Sequence, residues 1–348
     1  MKIQRRTKPL EWNFSETIQT LRGISVFLVY LSHTSFLSTE SNLGLAGVCI
    51  FFVISGYVIT GTLFGTLEKD VTHKSEYSRL LREFYVRRAR RLVPMAIVVM
   101  ILVLAVEYVT SRTETRQLIF VALFVIFYIP NFLGALHLLD SDFPLSHYWS
   151  LGVEEQFYLV YPFFVLWLAK FSSESKVKVT MFVLCFFLFS HTLTEFIGKD
   201  VRTLPTTYAD LLLFGCLVSI IRRYYCIKLE RIRLNSYTLL IVSVLSFVLF
   251  VLQALLEDKS SYGMGLSNVP RNVLISIFFI AFLGSQSSSK LFKFVGDISY
   301  EIYLIHFPIL LYCYAFIGTD LFSNVVALFA TLVIATFSRR IFKKIQQI

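Results

Sequence analysis

What this 348-residue chain has little of narrows its class before any motif is read. Charged residues make up only 16% of it against 56% hydrophobic ones, and the longest polar stretch, Glu68 to Arg91, has 24 residues, too few for a separate soluble domain. The five cysteines, Cys49, Cys185, Cys216, Cys226 and Cys313, show no CxxC pair and no Cys/His metal spacing. That excludes a disulfide framework and a zinc module, and leaves small, buried hydrophobes. Neither an internal repeat nor a low-complexity tract is present, and the ten-residue alternation of a membrane barrel is missing.

What the chain has instead is apolar runs of membrane length. They fall at Ile18 to Leu37, Leu43 to Leu67, Leu92 to Tyr108, Leu118 to Leu136, Tyr148 to Ala169, Val177 to Ile197, Thr206 to Ile221, Ser236 to Leu256, Val273 to Gly284, Val295 to Ile317 and Leu321 to Phe337. With 35 Phe and a mean hydropathy of +0.67, the chain is expected to be an all-α, polytopic integral membrane helical bundle. Its net charge of +10 comes from short basic clusters between the runs, the pattern of cytoplasmic loops and not of a nucleic-acid binder.

The four most basic stretches, Lys2 to Lys8, Lys69 to Arg91, Arg222 to Arg233 and Arg339 to Lys344, all belong on one side by the positive-inside rule. Eleven segments satisfy this if Leu118 to Leu136 re-enters or stays buried without crossing. The expectation is ten transmembrane helices with both termini cytoplasmic, and the alternative is eleven crossings with the C-terminus outside. The basic N-terminus and the lack of a small-residue cleavage pattern make the first run a retained span. Residues 68–93 are expected to form a cytoplasmic basic amphipathic segment that enters the membrane at Pro94, near a helix start, within a single domain over residues 1–348.

Polar residues inside such runs carry the functional signal. Arg22 and His33 are eleven residues apart, which on a helix puts them on one face roughly 16 Å apart along the axis. A cation and an imidazole in a span are costly unless they face a polar interior; the plainer reading is an anchor arginine plus a hydrogen-bonded core histidine. In Gly44 to Phe64, four glycines in 21 residues suit a close helix contact, and Ser55 with Gly56 also suit close approach of a ligand. Arg88 and Arg91, three apart in RRARRLVP, form a guanidinium pair for phosphate oxygens or an anchor for lipid phosphates. Glu154 and Glu155 diverge by about 100°, so at most one points squarely into a cavity shared with His33. Ser299, Tyr303 and His306 form one polar stripe, which a packed interface explains as well as an active site does.

Taken together, Arg22 with His33, FFVISGYVIT at Phe51 to Thr60, RRARRLVP at Arg87 to Pro94, SLGVEEQFYLVYP at Ser150 to Pro162 and GDISYEIYLIHFP at Gly296 to Pro308 resemble, in order and over nearly the whole chain, the acyltransferase-3 family of membrane acyltransferases. The resemblance implies a cytoplasmic donor, acetyl-CoA or another acyl-CoA, and no metal. It implies a carbohydrate acceptor of O-antigen, exopolysaccharide or peptidoglycan type, in a bacterial cytoplasmic (inner) membrane. It makes His33 the acyl-transfer histidine with Arg22 as its partner, assigns Arg88 and Arg91 to the CoA phosphates, and adds Glu154, Tyr303 and His306, whose chemical roles stay open. His33 would act as general base or transient acyl carrier.

Two features depart from the family pattern. Tyr208 stands where many members have arginine, and no GDS block of a fused SGNH domain is present, since Ile298 follows Gly296 and Asp297. If relatives with these motifs need that second domain, the expectation is a chain that acts alone, uses a separate extracytoplasmic partner protein, or is a fragment; membrane lipid is the other expected partner. His137 and Asp142 match an HxxxxD spacing used by glycerolipid acyltransferases, read here as chance. The competing functional class is a transporter or flippase of a lipid-linked or polar solute, for which paired repeats would be the signal.

Overall fold

The structure, a computed structural model, describes residues 14–35, 43–70, 76–136, 138, 140, 142–196, 205–229, 235–256 and 268–346. Lys2 to Lys8 and His137 of the HxxxxD match lie outside the described residues. Within them the chain is all-α, with no strand. The helices are α1 (Phe14–His33), α2 (Leu43–Asp70), α3 (Tyr77–Val109), α4 (Thr115–Ile126), α5 (Asn131–Ala135), α6 (Trp149–Leu168), α7 (Ser173–Phe196), α8 (Pro205–Leu229), α9 (Ser236–Leu256), α10 (Asn268–Ser285), α11 (Lys290–Asp297), α12 (Ser299–Phe316) and α13 (Leu321–Gln346).

By length and composition six of these helices can cross a membrane, or seven if α10 and α11, bent by 115°, count as one span. The expected ten exceeds this by α1, α6 and α12. Those three, of 20, 20 and 18 residues, fall outside that set and hold Arg22, Glu154, Glu155, Glu301 and His306 within their length. The protein is an integral membrane protein that packs these charged and titratable residues inside the bundle. α7 and α9 lie at its outside: 17% of the apolar window of each is buried, against 72% in α2.

Two glycine crossings set the centre of the bundle. A Cβ on Gly56 of α2 would collide with the Leu212 carbonyl oxygen, and one on Gly215 of α8 with that of Val53. A second crossing brings Gly23 of α1 against the Phe292 carbonyl and Gly296 of α11 against that of Gln19. Backbone thus meets backbone at both places, which only small residues allow in a membrane. α1 ends up packed between α2, α11 and α12, with Arg22 and His33 in the interior.

The segment expected to re-enter is broken. α4 has 12 residues, about 18 Å of helix, less than the roughly 30 Å of a hydrocarbon core. The chain then turns through Tyr128 at φ +55. Gln156 of α6 holds the break by donating to the Tyr128 carbonyl at 2.9 Å and to Asn131 Oδ1 at 2.8 Å.

Two boundaries differ from expectation. The basic stretch from Tyr77 on and the third apolar run form one 33-residue helix, with Pro94 in its interior and not near its start, while residues 68–70 belong to the end of α2. The run from Val295 to Ile317 is also split: α11 ends at Asp297, and Ile298 takes a non-helical conformation (φ −109, ψ 14) before α12 starts.

Candidate active site

Four helices, α1, α2, α6 and α12, bring the polar residues into one column, and α3 and α13 close its arginine-rich end. On α6, Ser150, Glu154 and Tyr158 recur every four residues, so they share a face in steps of about 6 Å along the axis. Each marks one level of the column.

At the middle level Ser55 donates to Glu154 Oε1 at 2.7 Å, and Arg22 Nε donates to Ser299 Oγ at 3.1 Å. Both Arg22 and Glu154 line a cavity of about 80 Å³ with Ser55, Arg88, Arg91 and Tyr158. Gly56, one residue on from Ser55, faces α8 instead. The helical angle that separates neighbours explains this split, and it separates Glu154 from Glu155 as well.

At the arginine level, Arg88 sits over the ring of Tyr158, its guanidinium carbon 3.5 Å from the centroid, with Nη2 4.0 Å from Glu155 Oε1. Arg88 Nε is buried without a hydrogen-bond partner. Arg339 of α13 reaches in to Glu301 Oε1 at 3.3 Å. Arg22, Arg88, Arg91 and Arg339 thus face Glu154, Glu155 and Glu301, and the guanidiniums outnumber the carboxylates. Spare donors and an excess of positive charge form an anion-binding arrangement. Tyr300 donates to the Leu92 carbonyl at 2.7 Å and ties α12 to α3 beside this level.

At the histidine level, the His33 and His306 rings are 5.2 Å apart, and His147 is 5.0 Å from His306. Phe307 covers His33 and His147 at 4.6 and 5.6 Å. His33 Nδ1 is 2.8 Å from the Val29 carbonyl and His306 Nδ1 is 2.8 Å from that of Tyr303. A carbonyl only accepts, so both Nδ1 atoms carry the proton and both Nε2 atoms present a lone pair. Tyr303 OH lies 2.5 Å from Ser150 Oγ and 2.9 Å from the His147 carbonyl.

The predicted residues therefore divide. Arg22, Ser55, Glu154, Arg88 and Arg91 meet at the cavity; His33, Tyr303 and His306 meet at the histidine level; Gly56 joins neither. Tyr208 packs among aromatics, 5.1 Å from Phe52 and 5.3 Å from Trp149. Sequence reasoning passed over His147, which sits in a 3-10 turn (Ser146–Tyr148) ahead of α6, where helical periodicity does not reach. Its signal was a histidine at the head of HYWSLGVEEQFYLVYP. Glu301 and Arg339 were missed too, since 38 residues separate them in the chain.

Comparison with known proteins gives consistent relatives. The family model described as Acyltransferase domain (Acyl_transf_3) matches residues 16–338. The chain is 30% identical over 334 residues to a peptidoglycan O-acetyltransferase, OatA, of Listeria monocytogenes, covering 88% of this chain and 51% of the relative. It is 29% identical over 317 residues to a putative peptidoglycan O-acetyltransferase, YrhL, of Bacillus subtilis, covering 83% and 48%. Against the O-acetyltransferase OatA of Staphylococcus aureus it is 29% identical over 299 residues, covering 77% and 46%. The chain spans about half the length of these curated relatives. No solved structure matches it.

Proposed function

Because the chain belongs to the acyltransferase-3 family, we propose that it transfers an acyl group, acetyl by preference, from acyl-CoA to a hydroxyl of a cell-wall carbohydrate. The observation that carries this reading is the continuity of the column, from a guanidinium-rich cavity to paired histidines on the same helices. Peptidoglycan is the acceptor class favoured by the names of the relatives. The positive-inside rule favours an arginine level turned toward the cytoplasm of a bacterial inner membrane, where acyl-CoA is made.

In this reading Arg88 and Arg91 hold donor phosphates at the mouth. A cavity of about 80 Å³ admits the small acyl end and not a nucleotide, since whole-ligand pockets run to several hundred Å³. Arg22 lies farther in on the face of α1 that leads to His33, where its guanidinium holds a polar group of the donor arm as the thioester reaches toward the histidine level. His33 Nε2, the free lone pair, takes the proton of the acceptor hydroxyl. The oxygen then bonds to the thioester carbon, the C–S bond breaks, and the thiolate leaves with the proton returned from the imidazolium. If His33 instead carries the acyl group, the same atoms act in two steps and an acyl-enzyme can be isolated.

The test is transfer of radiolabel from [14C]acetyl-CoA to peptidoglycan fragments or cell-envelope polysaccharide by the full chain in proteoliposomes. Label in a base-labile ester on carbohydrate, absent with His33→Ala, supports the reading. Protein that neither binds acetyl-CoA nor releases thiol overturns it. Release of thiol without labelled carbohydrate, even with a separately supplied extracytoplasmic partner, would move the acceptor to another class.

A further inference from the structure

Three buried imidazoles side by side are unusual enough that their hydrogen bonds have to be counted atom by atom. Three neutral rings carry three N–H donors and three lone pairs. Two donors are spent on backbone, His33 Nδ1 on Val29 and His306 Nδ1 on Tyr303. The third ring, His147, is 4% exposed; neither nitrogen makes a hydrogen bond of good geometry, and its nearest polar company is the backbone of Pro144, Tyr303 and Leu304, which can only use up its N–H. His306 Nε2 is likewise buried and unpartnered, in a residue 0% exposed.

The hydroxyls of Tyr303 and Ser150 add no donor, and the buried Tyr148 hydroxyl makes no hydrogen bond to a ring nitrogen. Tyr303 OH and Ser150 Oγ face each other at 2.5 Å, and the Tyr303 proton also has the His147 carbonyl at 2.9 Å. If Tyr303 donates to that carbonyl, Ser150 donates to Tyr303, and both protons are used. At most one N–H, on His147, then remains to serve three lone pairs, on His33, His147 and His306. At least two buried acceptors, on His147 and His306, go without a donor, which is costly while they stay unmet.

An acceptor-rich, donor-poor wall is complementary to a molecule bearing O–H groups. We propose that His147 and His306 form a hydroxyl-binding subsite for the carbohydrate acceptor, accepting hydrogen bonds from a hydroxyl adjacent to the one that faces His33. The subsite rests on the acyl-transfer reading for the role of its ligand, but its hydrogen-bond complement stands on the ring nitrogens alone. His33 is the least buried of the three rings, and binding at this subsite requires the other two to open toward its side. Phe307, against both His33 and His147, supplies an apolar face of the kind that sugar C–H groups cover. A vicinal diol satisfies two lone pairs at once, and an ether or deoxy sugar leaves one of them bare. Discrimination of this type is strong because the penalty falls on buried groups.

The experiment is direct binding of an N-acetylglucosamine tetrasaccharide to the purified full chain in detergent, without donor. His147→Phe keeps the ring volume and removes both nitrogens; His147→Asn and His306→Asn restore an accepting oxygen. The expected result is an affinity loss of tenfold or more for His147→Phe, partial recovery in His147→Asn, and acetyl-CoA affinity within twofold of wild type throughout. If His147→Phe does not fold, the two asparagine variants carry the test through weakened binding of a deoxy sugar relative to its parent. Unchanged tetrasaccharide binding in His147→Phe, or wild-type protein that binds no hydroxylated probe, overturns the subsite. Thiol release from acetyl-CoA by the same wild-type preparation reports separately on the acyl-transfer reading.

Discussion

The arginine level and the histidine level of the column treat polarity in opposite ways. Around the cavity every carboxylate has a cation nearby: Arg88 beside Glu155, Arg339 on Glu301 and Arg22 facing Glu154. Charges are opposed there, with a surplus of donors and open space beside them. At the histidine level no carboxylate is hydrogen-bonded to a ring nitrogen among the described residues, the rings are packed edge to face, and lone pairs are in surplus. One end is built to receive an anion and the other to receive a proton or a hydroxyl. A group-transfer site needs both, held apart so that donor phosphates do not sit on the base.

Four substitutions break or sharpen that contrast. His33→Ala has the largest expected effect: loss of a positioned base lowers acetyl transfer by about 100-fold or more, with acetyl-CoA binding retained. Steady-state thiol release beside equilibrium donor binding reads both quantities. Next comes the double change Arg88→Ala with Arg91→Ala, which raises the apparent donor KM by about 10- to 100-fold, the scale of lost charge-assisted hydrogen bonds. Its kcat at saturating donor should fall much less, and a kcat collapse at unchanged KM would assign the pair to chemistry.

A third substitution strikes the scaffold shared by both levels. Gly296→Val forces a side chain onto the Gln19 carbonyl where α11 crosses α1. Overpacking of this sort costs about 1–3 kcal/mol, and the expected outcome is a lower melting temperature in detergent with loss of both donor binding and transfer. The smallest effect is expected from Asn324→Ala. Asn324 donates to Ser35 Oγ at 2.9 Å and its carbonyl accepts from Tyr30 at 2.7 Å, while its side-chain oxygen accepts from Tyr314. This network clamps the end of α1 two residues beyond His33. Its removal should lower kcat a few-fold and leave the donor KM alone, a split that kinetics on the folded variant can check.

How much of this was legible in the sequence follows from the range of each signal. Arg22 and His33 were readable as one interior face because eleven residues make about three helical turns, and both side chains do meet α12, at Ser299 and His306. The divergence of Glu154 from Glu155 follows from the same periodicity. Ser55 and Gly56 could not be separated in that way, because either neighbour could have been the one on the cavity side until α8 was placed against Gly56. His147 escaped because it precedes its helix, and the Arg339–Glu301 pair because only tertiary packing joins α13 to α12. The bend of 115° between α10 and α11 is held by long-range contact at Gly23 and Gly296, to which a window of local hydropathy is blind.

The central claim, that donor binding and transfer chemistry occupy different levels of one column, is tested most directly by thiol release from acetyl-CoA over a full range of donor concentration. The measurement compares wild type, His33→Ala and the Arg88→Ala, Arg91→Ala double variant in proteoliposomes containing cell-wall carbohydrate. The account predicts saturable release by wild type, a collapsed kcat with unaltered donor affinity for His33→Ala, and a raised KM for the arginine variant. Wild-type rates from His33→Ala, or both variants failing in donor binding alike, would contradict it.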